Sequence, residues 1–194
     1  MSSRRSSCPG CDEPLQSTLA CLACGRVLDE PADADHFARL GLRPEDGFDH
    51  DAIEARYLRL SRALHPDFHG QADEAARERA NRHSALLNEA WNTLADDTAR
   101  AEYRLGRTDP DALERHKQLE PSFLMEAMEL SEEGEHCDAA TRDRLTGQVR
   151  AEIARRDERL ADDSAWSPPD TAELAVLLHE LRVYNRILRD LETA

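Results

Sequence analysis

Four of the five cysteines form two Cys-x-x-Cys pairs close to the start of the chain, namely Cys8 with Cys11 and Cys21 with Cys24. A two-residue spacer turns both thiolates of a pair towards one point, and four thiolates satisfy the tetrahedral geometry that Zn²⁺ prefers. Protein ligands would fill every position, which predicts a structural rather than a catalytic zinc site. Iron suits the same thiolates and stays an alternative, whereas a redox dithiol would normally begin a helix in an α/β context. The fifth cysteine, Cys137, is isolated and is given no role.

The tripeptide His65-Pro66-Asp67 is the second group whose residue types could carry a function. Proline restricts the backbone and a glycine follows soon after, so these residues are expected to interrupt a helix as a loop. One helix is predicted from an N-cap at Asp49 to about Leu64, and another from about Ala72 to Leu94. A loop between two such helices leaves its histidine and aspartate side chains available to a partner.

Three arginines precede the loop on the first of these helices: Arg56, Arg59 and Arg62. A spacing of three keeps them along one broad helical face. They could form a solvated face with salt bridges to Asp51 and Glu54, or a docking surface for an acidic partner. Because the tripeptide follows directly, the docking surface is favoured.

Composition and periodicity predict an all-α protein. Only 5% of the residues are aromatic and 34% are charged, which favours helices over a β-sandwich. The expected domains are a zinc knuckle at 1–32, a helical hairpin at 33–105, a connector at 106–120 and a C-terminal three-helix bundle at 121–194. The bundle must position whatever interface the second half of the chain carries.

The first helix of the predicted bundle carries an apolar spot made of Leu124, Met125 and Met128. Glu129 and Glu132 border the spot with negative charge. An apolar anchor ringed by charge suits a protein interface, and methionine adapts to different partner shapes. The spot could instead face the bundle core. The opposite side of the helix offers other residues for that core, namely Phe123, Ala127 and Leu130.

Net charge and hydropathy exclude several classes of function. A formal charge of −15 argues against nucleic-acid binding, which needs a basic face. No apolar run approaches the roughly 20 residues of a membrane span, and no apolar signal-peptide region follows the first residues. Lys117 is the only lysine, a bias towards arginine that suggests a GC-rich bacterial genome. We therefore expect a cytoplasmic bacterial protein, in which paired cysteines bind metal rather than form disulfides.

The helices around His65-Pro66-Asp67, with the second ending Asn88-Glu89-Ala90-Trp91-Asn92-Thr93-Leu94, resemble a J-domain. The span from about Asp35 to Leu191 resembles the Hsc20/HscB family of J-proteins, notably at Ala101-Glu102-Tyr103 and from Phe123 to Glu133. The cysteine pairs resemble the zinc-bearing N-terminus of the mitochondrial members. The resemblance implies a co-chaperone that is no enzyme itself. It would bind an IscU-type iron–sulfur scaffold protein and stimulate ATP hydrolysis by an Hsp70, either HscA-type or general.

The resemblance also implies site residues. Hsp70 would be contacted by the loop and the arginine face, which are His65, Pro66, Asp67, Arg56, Arg59 and Arg62. The scaffold would be contacted by residues of the bundle, which are Leu124, Met125, Met128, Glu129, Glu132, Val183 and Tyr184. The chain departs from the family at Phe68, where lysine is usual, at His136, where an acidic residue is frequent, and at Val183, where some members have phenylalanine. Tyr184 could replace that aromatic contact.

Two other functions compete with this interpretation. A general protein-folding J-protein would stimulate a housekeeping Hsp70 and bind unfolded chains. A zinc-ribbon nucleic-acid-binding protein is less favoured, because the cysteine region has few basic and almost no aromatic residues. The sequence leaves open the oligomeric state and the purpose of the knuckle, which could staple the N-terminus, mediate dimerisation, or contact the Hsp70 or an acceptor.

Overall fold

The computed structural model describes residues 7–44, 48–65 and 74–193, apart from the side chain of Asp163. Within these ranges the chain forms α-helices joined by short loops, with isolated β-bridges but no strand, so the predicted all-α fold is confirmed. The helices are α1 (His36–Leu40), α2 (His50–Leu64), α3 (Glu74–Ala95), α4 (Asp97–Thr108), α5 (Ala112–Arg115), α6 (Pro121–Glu135), α7 (Ala139–Ala161) and α8 (Thr171–Thr193). The chain divides into two compact units, Met1–Asp96 and Asp97–Ala194.

The first unit contains the cysteine-bearing segment and helices α1 to α3. The Asp49 carboxylate accepts a hydrogen bond from the Ala52 N–H and begins α2, as predicted for an N-cap residue. Tyr57 of α2 stacks on Trp91 of α3 with ring centroids 4.8 Å apart, which holds the two helices together. The core consists of apolar side chains on the facing helix surfaces, namely Phe37, Leu40, Ile53, Leu60, Leu64, Ala80, Leu87, Ala90 and Leu94.

The second unit is organised around α8, which packs against α4, α5, α6 and α7. Its inward side chains recur every three or four residues, as expected of a helix buried along one face. They are Leu174, Leu178, Leu181, Tyr184, Ile187 and Leu191. Helices α6, α7 and α8 form the predicted three-helix bundle. None of the described helices is long and apolar enough to cross a membrane.

Two features of the second unit were not evident from the sequence. Helix α4 packs against α5, α7 and α8, although it follows directly on α3. Inside the predicted connector, α5 forms a single turn whose Ala112 is fully buried. A four-residue helix has too few residues to establish a period, so its sequence gave no helical pattern.

Candidate functional site

The four predicted metal ligands converge on one point. The Sγ atoms of Cys8 and Cys24 lie 3.7 Å apart, and those of Cys11 and Cys21 also lie 3.7 Å apart. All four sulfurs fall within 4.8 Å of one another, and the cysteines are free. A tetrahedral ion with metal–sulfur bonds of about 2.3 Å separates its sulfurs by about 3.8 Å, whereas a disulfide needs about 2.05 Å. The sulfurs are therefore spaced for a metal ion.

Two turns of matching backbone geometry carry the cysteine pairs. The Cys8 N–H donates to the Glu13 carbonyl at 2.8 Å, and the Cys21 N–H donates to the Arg26 carbonyl at 2.9 Å. The residue after each pair has positive φ, 59° at Asp12 and 73° at Gly25. Each turn therefore contains one residue in the left-handed conformation. In the first turn this residue is Asp12, and in the second it is a glycine, which adopts the conformation without steric cost.

Gly10, inside the first cysteine pair, lies against a neighbouring side chain. A Cβ atom there would lie 2.5 Å from Nε of Arg26, so the glycine makes room for that side chain. Its N–H donates to Sγ of Cys8 at 3.3 Å. This hydrogen bond is the largest of several contacts that lower the pKa of the Cys8 thiol to about 7. A hydrogen bond with the Glu13 backbone lowers the pKa of the Cys11 thiol, but burial and the three neighbouring thiols raise it to about 12.

The cysteine-bearing segment, residues 7–30 and called the knuckle from here on, is docked on α1 and α3. The side chain of Leu19 is fully buried, and the Leu19 carbonyl accepts a hydrogen bond from Nδ1 of His83 on α3 at 3.1 Å. Ser17 Oγ donates to the Arg39 carbonyl of α1 at 2.6 Å. The Gln16 carbonyl passes so close to Gly41 that a Cβ atom there would lie 2.0 Å from it. The knuckle thus shares the core of the first unit.

His83 was not singled out by the sequence. It is 3% exposed and follows the buried Ala80 on the inward face of α3. Burial lowers its pKa below the usual value, an effect that the hydrogen bond with the Leu19 carbonyl only partly offsets. A neutral histidine is therefore a structural part of the interface between the knuckle and α3.

The predicted Hsp70-contacting residues are not equivalent in their surroundings. Arg56 is half-buried and donates to the Gly41 carbonyl, so it caps the end of α1. Arg59 and Arg62 are exposed on α2, and His65 is exposed at the end of the same helix. Pro66, Asp67 and Phe68 lie outside the described residues. Leu58, which the sequence did not flag, is 56% exposed between the arginines.

Helix α6 has the two faces that the sequence predicts. Leu124 is 43% exposed, Met125 64% and Met128 61%, and these three residues are called the apolar patch from here on. Glu129 and Glu132 are exposed beside them. The core face of α6 is buried as expected and consists of Phe123, Ala127, Leu130 and Gly134.

Two other residues predicted to contact the scaffold lie on α8, beneath α6 rather than on its outer face. Val183 is half-buried against the bundle core. Tyr184 is 1% exposed, and its hydroxyl donates to Oε1 of Glu126 on α6 at 3.4 Å. Burial raises the pKa of the Tyr184 hydroxyl to about 12. The Tyr184 ring supports α6 and is not presented on the surface.

Two family models match the chain one after the other. The DnaJ domain matches residues 35–104, and the HSCB C-terminal oligomerisation domain matches residues 119–192. The chain belongs to the HscB family of J-domain co-chaperones. The first match runs from the start of the first unit's helices into α4, and the second takes in all three helices of the bundle.

Two solved HscB structures are similar to this HscB-family chain. The human co-chaperone protein HscB superposes with a TM-score of 0.74 at 23% identity, covering 97% of this chain and 98% of the human one. The chaperone HscB from Vibrio cholerae has a TM-score of 0.65 at 25% identity, covering 82% of this chain and 96% of its own. Coverage of 97% requires that the human match extend into the knuckle, so the shared fold includes that segment.

Proposed function

We propose that this HscB-family protein binds an IscU-type iron–sulfur scaffold protein on α6, delivers it to an Hsp70 and stimulates ATP hydrolysis by that Hsp70. The observation that carries the proposal is the apolar patch of Leu124, Met125 and Met128, held outward on a helix whose opposite face is buried. After ATP hydrolysis the Hsp70 would grip the scaffold, which would promote cluster transfer to acceptor proteins. The protein itself would activate an enzyme without being one.

The patch has the chemistry of a protein interface. Three large apolar side chains stand next to one another on one exposed helix face, where water contact disfavours them. The exposed carboxylates of Glu129 and Glu132 border them, so a partner with a small apolar depression and a basic rim would be complementary. Met125 and Met128 have flexible, polarisable side chains that fit such a depression without strain.

The proposed Hsp70 contact lies in the first unit. Arg59 and Arg62 present two guanidinium groups on α2, and Leu58 adds apolar area beside them. An acidic Hsp70 surface would attract these cations and orient the encounter. The carboxylate of Asp67 would then pair with a cation of the Hsp70 near its nucleotide domain. Arg56 contributes by fixing the end of α1 beneath this surface.

Zinc is the metal proposed for the knuckle, held by Cys8, Cys11, Cys21 and Cys24. The ion would cross-link two turns of the chain and carry no catalytic step, because four thiolates leave no position for water. The activity is proposed for the bacterial cytoplasm, where thiols stay reduced and available to metal.

Steady-state ATP hydrolysis by the Hsp70 of the same organism tests the proposal, with the scaffold and this protein added separately and together. The expected result is synergistic stimulation that Asp67→Asn abolishes. Asp51→Asn, in the first turn of α2, is the matched control and should stimulate normally.

The scaffold arm uses the combined variant Leu124→Ala, Met125→Ala and Met128→Ala. It should keep the scaffold-independent stimulation and lose the synergy, while Gln148→Ala on the exposed side of α7 should change neither. Stimulation by the wild type without any scaffold effect would instead support a general protein-folding J-protein. Absence of stimulation would refute the proposal.

A further inference from the structure

Arg156 of α7 carries a positive charge into the interior of the second unit. Its side chain is 14% exposed, and its Nε donates to Oε2 of Glu180 on α8 at 2.7 Å. Its Nη1 donates to Oε2 of Glu152 at 2.9 Å and to the Glu152 carbonyl at 3.0 Å. Burial by itself lowers the pKa of the guanidinium, but the two carboxylates raise it, so the charge is retained.

The guanidinium also lies against two aromatic rings. Its central carbon is 4.6 Å from the centroid of the Tyr184 ring and 5.8 Å from that of Phe123. The two rings meet edge to face, with centroids 5.3 Å apart and an interplanar angle of 87°. Cation–π contacts of this kind are directional, so Arg156 restrains the orientation of both rings.

The aromatic residues that Arg156 contacts are next to the apolar patch in the chain or hydrogen-bonded to a residue beside it. Phe123 directly precedes Leu124 and Met125, and Glu126, which follows them, accepts the hydrogen bond from Tyr184. The described N-cap of α6, Glu120, makes no side-chain capping hydrogen bond, so its carboxylate does not secure the first turn. The first turn of α6 begins with Pro121, is closed by the Leu124 N–H donating to the Glu120 carbonyl, and is packed from beneath by the rings and the cation.

We propose that Arg156 is a positioning residue for the scaffold-binding surface: it holds Phe123 and Tyr184 in place and thereby fixes the first turn of α6, from which Leu124 and Met125 project. This inference rests on the proposed function, because it assigns Arg156 to the same surface. Arg156 does not contact the scaffold itself.

A stability role alone does not account for an arginine at this position. Well-packed apolar side chains that replace a buried ion pair are often neutral or stabilising, because the desolvation of the charges is avoided. The guanidinium instead fixes the relative positions of its neighbours. Its planar fork binds one carboxylate on α7 and another on α8, and its face packs against the two rings. A binding surface needs side chains held to within about 0.5 Å, which such contacts provide.

The test separates positioning from stability with two variants. Arg156→Met removes the cation, so Glu180 loses this ion pair while Glu152 keeps its pair with Arg155. The triple variant Glu152→Gln, Arg156→Met and Glu180→Gln removes both carboxylate charges as well, and its melting temperature should return close to that of the wild type. Arg144→Gln, which breaks an exposed ion pair between α7 and Glu133 of α6, is the matched control.

The dissociation constant for the purified IscU-type scaffold protein is measured by calorimetry at a temperature where circular dichroism finds every variant folded. Arg156→Met and the triple variant should both bind about tenfold more weakly, with faster amide exchange in the first two turns of α6. Arg144→Gln should bind like the wild type. Stimulation of the Hsp70 without scaffold should be unchanged in all variants.

Wild-type affinity in the triple variant would overturn the inference, because Arg156 would then only neutralise two carboxylates. Wild-type affinity in Arg156→Met would overturn it as well, while leaving the proposed function intact. If the wild-type protein itself does not bind the scaffold, the proposed function fails and this inference fails with it.

Discussion

Loss of the metal proposed for the knuckle should destabilise the whole first unit and not only the knuckle. The perturbation is chelation of the metal, or the variant Cys11→Ser with Cys24→Ser, whose side chains are exposed and do not form the interface with α1 and α3. Without the ion, the two turns lose their cross-link, and a segment this short cannot keep its shape from its own core. The docked residues around Leu19 would then separate from α3.

The size of the effect follows from what the docking buries. Leu19 and Leu28 are 0% and 6% exposed, and burial of a leucine contributes about 1.5–3 kcal/mol. Hydrogen bonds donated by Ser17 Oγ, the Thr18 N–H and Nδ1 of His83 join the segment to α1 and α3, and each is worth about 0.5–1.5 kcal/mol. Ion pairs of Arg39 with Glu30 and of Arg79 with Asp29 add to them. The chain entropy regained when the segment detaches offsets a large part of this stabilisation. We therefore expect the free energy of unfolding of the first unit to fall by about 2–4 kcal/mol. That corresponds to a fall of roughly 10–20 °C in melting temperature for a unit of this size.

Hydrogen exchange followed by mass spectrometry is the assay, because it reports on each helix separately. Chelation should raise exchange in α1 and α3, while α8 in the second unit serves as an internal reference. Leu19→Ala should already remove much of the coupling, so chelation of that variant should add little in α3. Faster exchange confined to residues 7–30, with α1 and α3 as protected as before, would refute the reasoning.

Two further predictions concern the same unit. Because burial holds the pKa of His83 below its usual 6.5, the unfolded chain takes up more protons than the folded one just below that pH. The stability of the unit should therefore be complete above about pH 6.5 and fall as the pH decreases, and His83→Gln should flatten this slope in thermal melts whereas His136→Gln should not. Gly25→Ala should cost about 1 kcal/mol in chemical unfolding, since its φ is 73° but nothing lies within 4 Å of the new Cβ. Gly41→Ala should cost clearly more, because its Cβ would also meet the Gln16 backbone, and equal costs for the two variants would contradict the described packing.

Local signals explain most of what the sequence predicted correctly. With Asp49 as its N-cap, a helix was predicted to run to about Leu64. The structure has this helix at His50–Leu64. On α6, the alternation of Phe123, Ala127 and Leu130 with the apolar patch follows from the helical period alone, and burial confirms both faces. The four cysteines were identified by spacing, which is also a local property.

The features that the sequence did not reveal depend on distant residues. His83 meets the Leu19 carbonyl 64 residues away along the chain, and no period or motif encodes that pairing. Arg56 was assigned to a docking face because of its spacing; its hydrogen bond to the Gly41 carbonyl at the end of α1 has no counterpart in that spacing. Tyr184 was expected on the surface by comparison with an aromatic residue at the neighbouring position, and the turn of α8 directs it inward. Which side of a helix is covered depends on neighbours that local sequence does not specify.

The shared core of the knuckle and the helices limits how this protein can be recombined with others. A segment that folds on its own can be moved between proteins during evolution, or cut away in the laboratory, without harm to its neighbour. Removal of residues 1–32 here would uncover His83 and the α1 surface at Gly41, which are shaped to receive another stretch of backbone. The smallest piece that could be transplanted as a working J-domain therefore begins before Cys8 and not at residue 33.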